Sequence, residues 1–311
     1  MKARKSGATK RSRHGVTLAA AAMAVSVGTV GLQALSAPGT GASSANAKSH
    51  ANARLGCAGA DGEGYWEVAA DGGVFTYGAA NFYGSLGGTK LNQPIVGMAP
   101  SVDGRGYWLV ASDGGVFSFG DAPFEGSAGA IRLHSPIVGM APTPDGQGYW
   151  LVAADGGVFS YGDAAFYGSL GATPINKPIV GIAATKDGRG YWLVASDGGI
   201  FAFGDASFYG SLGGTRLNAP IVGIAPARNG NGYVLAASDG GVFTFGASAF
   251  YGSAGGVHLN RPVVGVAGTF TGNGYTLAAA DGGIFTYGDS SFCGSSGGIS
   301  LHSPVVGLAF Y

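Results

Sequence analysis

Glutamate is almost missing from this chain of 311 residues: only Glu63, Glu67 and Glu125 occur. Histidine appears five times, cysteine twice, and charged residues amount to only 11%. Each shortage excludes or weakens a class of chemistry. Glycoside hydrolysis needs two carboxyl groups at a set separation. Here the unmatched acids are Glu67, where the corresponding repeats place Leu109, Leu151, Leu193, Leu235 and Leu277, and Glu125, where other repeats place tyrosine. Nucleophilic catalysis needs a nucleophile, a base and an orienting group in one place. His50 lies near the N-terminus, and His134, His258 and His302 fall in connections of different repeats. No phosphate-binding G-x-x-x-x-G-K-[ST] loop is present. Two cysteines and scattered histidines make no zinc pattern. The Asp-Gly-x-Gly segments at Asp61, Asp103, Asp145 and Asp187 are accounted for by turn chemistry without calcium. The reading is non-catalytic, with no metal and no cofactor.

A basic footprint is also lacking. Six of the 17 Lys and Arg residues stand within the first 47 positions, where there is no acid, leaving 11 bases against 17 acids, about −6, in the remainder. A nucleic-acid partner is not expected. The basic residues Lys2 to Arg13 precede an uncharged stretch, Val16 to Leu35, and then small-residue sites at Ala45-Asn46-Ala47 and Ala51-Asn52-Ala53. This is the layout of a secretory signal. Residues 1–47 are read as a signal peptide, with an uncleaved anchor as the alternative, and 48–56 as a flexible leader. The mature form is expected to be extracellular, without a membrane span.

What the chain has in excess is glycine, 61 residues, alongside 46% hydrophobic residues. Tyr65, Tyr107, Tyr149, Tyr191, Tyr233 and Tyr275 recur every 42 residues, and so do Asp71 through Asp281 and Pro94 through Pro304, with no insertion. A period of this length suits one propeller blade of four strands. In one unit the strands are read as Pro136 to Ala141, Gly148 to Ala153, Val158 to Tyr161 and a short Phe166 to Ser169. Asp155-Gly156-Gly157 marks a hairpin turn, because glycine accepts positive φ. The second strand is apolar on both faces, as in a sheet covered on both sides. Residues 57–311 are therefore expected to form an all-β, six-bladed β-propeller, with Pro304 to Tyr311 supplying the strand that the first repeat lacks and so closing the ring. Cys57 precedes the first blade and Cys293 sits in the last. In an exported ring these blades are neighbours, so a Cys57–Cys293 disulfide is expected, with free thiols or an intermolecular bond as alternatives.

The units Gly106 to Phe117 and Gly190 to Phe201, reading G-Y-W-L-V-A-S-D-G-G-[VI]-F, resemble repeats of secreted and cell-wall-associated actinobacterial proteins. The resemblance covers nearly all of 56–311 and implies an exported propeller-like array. It implies no particular ligand.

A ring would gather the longest connections, between the fourth strand and the next blade, on one rim. There the repeats differ: Lys90, Arg132, Pro174, Arg216, His258 and Ser300 at one position, and Asn92, His134, Asn176, Asn218, Asn260 and His302 two residues on. Loops on a rigid scaffold commonly carry binding. Asn, His and Arg suit sugar hydroxyls, while Asn near Pro can also simply build a turn. Three functions remain open. One is a rim that binds glycan or cell-wall polymer. Another is a protein-interaction scaffold of the cell envelope. The third is a hydrolase using Glu67 and Glu125.

Overall fold

The structure, a computed structural model, describes residues 64–310. The expected signal peptide, the leader and Cys57 lie outside the described residues. Among the described residues there are eighteen strands and no helix, arranged in six antiparallel sheets of three strands. Blades 1 to 6 are named here by their middle strands: Gly64–Ala69, Gly106–Ala111, Gly148–Ala153, Gly190–Ala195, Gly232–Ala237 and Gly274–Ala279. Every middle strand is buried at all six positions. This explains its unbroken apolar reading.

Blades 2 to 6 each take their three strands in sequence, as in blade 3: Ile137–Pro142, Gly148–Ala153 and Val158–Gly162. Blade 1 is assembled from both ends of the domain. Its middle strand pairs with Val74–Gly78 on one side and with the last strand, Val305–Phe310, on the other, Tyr65 opposite Phe310. The first strands of successive blades touch one another in order, and Val305–Phe310 touches both the first strand of blade 6 (Val263–Gly268) and that of blade 2 (Ile95–Pro100). Adjacency therefore runs in a cycle.

Turn chemistry sets the strand ends. At the hairpin of blade 1, Gly72 has φ +79°, and Asp71 Oδ1 accepts the Gly73 N–H at 2.9 Å. The same aspartate bond recurs at Asp113, Asp155, Asp197, Asp239 and Asp281. Only glycine reaches such a φ without steric cost, which accounts for the repeated Asp-Gly-Gly.

The core lies between blades rather than within one. Trp66, Trp108, Trp150 and Trp192 each pack against the tyrosine of the following blade, with ring centroids 5.4–5.7 Å apart. Their indole N–H groups donate to carbonyls fifteen residues on, at Asn81, Pro123, Ala165 and Ser207. Burying each such side chain contributes about 1.5–3 kcal/mol.

The expected fourth strand is a correction. Phe166 to Ser169 and its equivalents form no ladder; each blade has three strands followed by an irregular outer segment. Two physical causes apply. Gly84, Gly126, Gly168, Gly210, Gly252 and Gly294 take φ values of 124–137°, far from strand geometry. The segment's polar groups are also already engaged. The Tyr191 hydroxyl accepts the Tyr167 N–H at 3.2 Å and donates to the Gly168 carbonyl at 2.6 Å. Every blade makes this clamp to its predecessor, including blade 1, where Tyr65 holds Cys293 N–H and the Gly294 carbonyl. A hydroxyl that both donates and accepts replaces two ladder bonds.

Candidate binding faces

The propeller has two unlike faces. On one, hairpin turns meet the long connections: Leu86 N–H bonds the Gly72 carbonyl and Ile95 N–H bonds the Ala70 carbonyl, each at 2.9 Å, and the pattern repeats around the blades. On this connection face stand all the rim residues that the sequence pointed to: Lys90, Asn92, Arg132, His134, Asn176, Arg216, Asn218, His258, Asn260 and His302. Each is exposed. Among the described residues, the side chains of Asn92, Asn176, Asn218 and Asn260 have no hydrogen-bond partner within the protein. They are not spent on building the turn, and their amides remain available to a ligand. His258 and Asn260, with Asp239 and Arg261, line a shallow hollow of about 350 Å³.

The two unmatched acids do not come together. Glu125 is half-buried on the outer segment of blade 2, and its N–H donates to the Tyr149 hydroxyl of blade 3. Glu67 is fully buried where blade 1 meets blade 6. Ser296 Oγ donates to its Oε2 at 2.7 Å, and the Tyr77 hydroxyl bonds Ser296 at 2.6 Å. Glu67 Oε1 has no partner. Burial pushes the Glu67 carboxyl up to about 7, opposed by the Ser296 hydrogen bond. The two acids face different blade interfaces and share no neighbour. Cys293 is also buried at the blade 6–blade 1 seam, its N–H held by Tyr65; its expected partner Cys57 lies outside the described residues.

The opposite face carries the turns between first and second strands, and sequence reasoning missed it as a site. In blades 3 and 4 these turns form an acidic network: Thr143 Oγ1 bonds Asp145 and Asp163 at 2.8 and 3.1 Å, and Thr185 Oγ1 bonds Asp187 at 2.9 Å. The two exposed carboxyls of each blade lie close together, so that Asp163 and Asp205 are held above the usual range, by local burial and by their partner acids. Blade 5 departs from this pattern. Between blades 5 and 6 a cleft of about 380 Å³ opens beside Val234, Ser248, Tyr251 and Tyr275. The signal was present in the sequence as four breaks in the repeat: Ala227, Asn229, Val234 and Ala247.

No protein-family model matches the chain, and no curated protein matches it by sequence. Solved structures do. The chain is similar to one in the nidogen/laminin complex, at 9% identity and a TM-score of 0.56, over 80% of this chain and 98% of that one. It is also similar to the β-propeller domain of Cps50 (Swd1) from Myceliophteria thermophila, at 13% identity and a TM-score of 0.46, over 63% and 65%. At such identity the first likeness speaks for fold alone, and with the six repeated sheets it identifies the chain as a six-bladed β-propeller.

Proposed function

We propose that this propeller is a secreted, non-catalytic binding module that holds a glycan or cell-wall polymer on its connection face. The observation that carries the reading is the contrast on that face. A uniform frame presents exposed, varied polar side chains at matched positions, from Lys90 and Asn92 to Ser300 and His302. Unpaired amides and cationic side chains at regular angular intervals suit a polymer with repeating hydroxyls, because several weak contacts combine. Export follows from the N-terminal layout of basic, apolar and small-residue segments. The proposal includes a Cys57–Cys293 disulfide across the seam, the pairing two cysteines in an oxidising compartment favour. Peptide mapping of the unreduced protein would reveal it as one linked pair; two singly alkylated peptides would refute it.

The test is binding of residues 48–311 to purified cell-wall fractions and a glycan array. Saturable binding is expected, with loss in the triple variant Asn92→Ala, Asn176→Ala, Asn218→Ala. No binding by protein that still unfolds cooperatively overturns the reading.

One observation favours an envelope protein as partner instead. Phe82, Phe124, Phe166, Phe208, Phe250 and Phe292 occupy one position per blade and are each 54–60% exposed. A recurring exposed aromatic suits a protein surface, and the nidogen/laminin chain of similar fold occurs in a protein complex. Retention of an envelope protein that is released by Phe→Ser changes, without any glycan signal, would decide for the scaffold.

A further inference from the structure

Between blades 1 to 4 and their successors, a tryptophan fills the space at the turn face. Trp150 lies 5.6 Å from Tyr191 and 6.5 Å from the outer Tyr167. The outer tyrosines Tyr83, Tyr167 and Tyr209 then lock down by donating to Gly104, Gly188 and Gly230 carbonyls at 3.0–3.2 Å. Blade 5 places Val234 where the tryptophan would stand. The space a tryptophan ring would take is part of the cleft of about 380 Å³, which Val234 lines. Tyr251, the outer tyrosine of this blade, lacks the bond to Gly272 and is 36% exposed, standing 6.0 Å from Tyr275.

The electrostatics change at the same place. Ala227, Asn229 and Ala247 remove from blade 5 the Thr-Asp-Asp network of blades 3 and 4, and no Asp or Glu lines the cleft; blade 6 keeps one carboxylate behind its wall, Asp289, bonded by the Thr269 and Thr271 hydroxyls. Lys186 and Arg228 do line it. Arg105 and Arg189 on this face pair with Asp103 and Asp187, at 3.6 and 3.9 Å. Arg228 instead stacks on Phe270, its guanidinium carbon 5.4 Å from the ring centroid. Its donors keep their capacity for an anion. Ser248 adds a buried hydroxyl without a hydrogen-bond partner, and alanine stands at that position in blades 1 to 4. Asn229 and Asn273 complete a polar wall, while the Thr271 hydroxyl beside them is engaged by Asp289.

We propose that the cleft between blades 5 and 6 binds an acidic monosaccharide or disaccharide, its carboxylate or phosphate held by Lys186 and Arg228 and its ring laid against Tyr251. The volume lies within the range of small-molecule sites. The aromatic wall suits the apolar face of a pyranose, and the hydroxyl and amide groups suit its ring hydroxyls. Four departures from the repeat, separated by up to 20 residues in sequence from 227 to 247, converge on one cavity. The site is on the opposite face from the connection-face residues and goes beyond the proposed function.

The experiment is calorimetric titration of the mature protein with glucuronate, glucose 1-phosphate and glucose at low and moderate salt. Saturable binding of at least one acidic sugar, with glucose weaker, is expected; glucuronate and the phosphate distinguish the two anionic groups. Arg228→Ala, at an exposed position, should weaken that binding by about tenfold or more. Val234→Trp places a ring in the cleft beside Tyr251, as Trp192 stands beside Tyr209, and should abolish the binding while the thermal midpoint holds or rises. The asparagine triple variant of the connection face should bind these sugars unchanged, which separates the two sites. Binding of neither acid, equal binding of glucose, or binding indifferent to Arg228→Ala overturns the proposal.

Discussion

The interface between blades 3 and 4 and the seam between blades 6 and 1 use one clamp and opposite fillings. In both, a middle-strand tyrosine accepts an N–H and donates to a carbonyl of the preceding outer segment, Tyr191 to Tyr167 and Gly168, Tyr65 to Cys293 and Gly294. Between the clamped elements, the first interface packs Trp150, Leu170 and Leu193. At the seam the same three positions hold Thr276, Ser296 and Glu67. Thr276 and Ser290 bond at 2.5 Å, and Ser296 serves Glu67 and Tyr77. The clamp acts on backbone groups and is indifferent to filling. Blade geometry is thus fixed by tyrosine and glycine, while the space between blades is free to turn polar, at a cost in stability.

The comparison can be broken first at the apolar interface. Trp150→Ala removes a ring buried between Tyr167 and Tyr191 and should cost about 3–5 kcal/mol, read by urea unfolding. Thr276→Ala at the seam should cost much less. If the two are equal, filling does not distinguish the interfaces.

Glu67→Leu restores the apolar residue of the other blades. The Glu67 carboxyl is raised to about 7 in the fold against 4.5 when free, so the folded state holds an extra proton between these values. Stability should fall as pH rises from about 4.5 to 7 and level off above, since the unfolded state binds fewer protons in that window. The whole drop is about 2–3 kcal/mol at most. Glu67→Leu should abolish this slope and gain most at pH 8, read from thermal midpoints between pH 4 and 8. A wild-type midpoint that rises steadily from pH 4.5 to 7, and does so equally in Glu67→Leu, would show the carboxyl to be unburdened.

The smallest effect sharpens what the interfaces share. Tyr191→Phe and Tyr65→Phe each leave one N–H and one carbonyl without their partner, at about 1–3 kcal/mol. Similar losses at the two sites are expected. A loss confined to one would mean the clamp is not the common frame.

Much of this was legible from residue spacing. The Asp-Gly-Gly turns and the apolar run from Tyr149 to Ala153 placed strands to within a residue or two, because glycine and strand burial leave direct marks. The outer segment misled because Phe-Tyr-Gly-Ser reads as a strand, and only the structure shows tyrosine hydroxyls from the next blade capping its backbone. Glu67 stood out at once, but its partner Ser296 is 229 residues away, and nothing local connects them. The turn-face cleft needed the knowledge that each tryptophan fills the gap toward the next blade. Without it, Val234 is one apolar residue in place of another.

Blade 1 also has a consequence for association. Five sheets are complete within short stretches of chain, but Gly64–Ala69 must wait for Val305–Phe310. Until that strand arrives, blade 1 offers an unpaired backbone edge. Any chain can fill it, including the last strand of a second copy, since the two molecules present the same sequence. The seam is therefore where strand exchange between monomers would begin, and high concentration during refolding should yield dimers linked through swapped C-terminal strands.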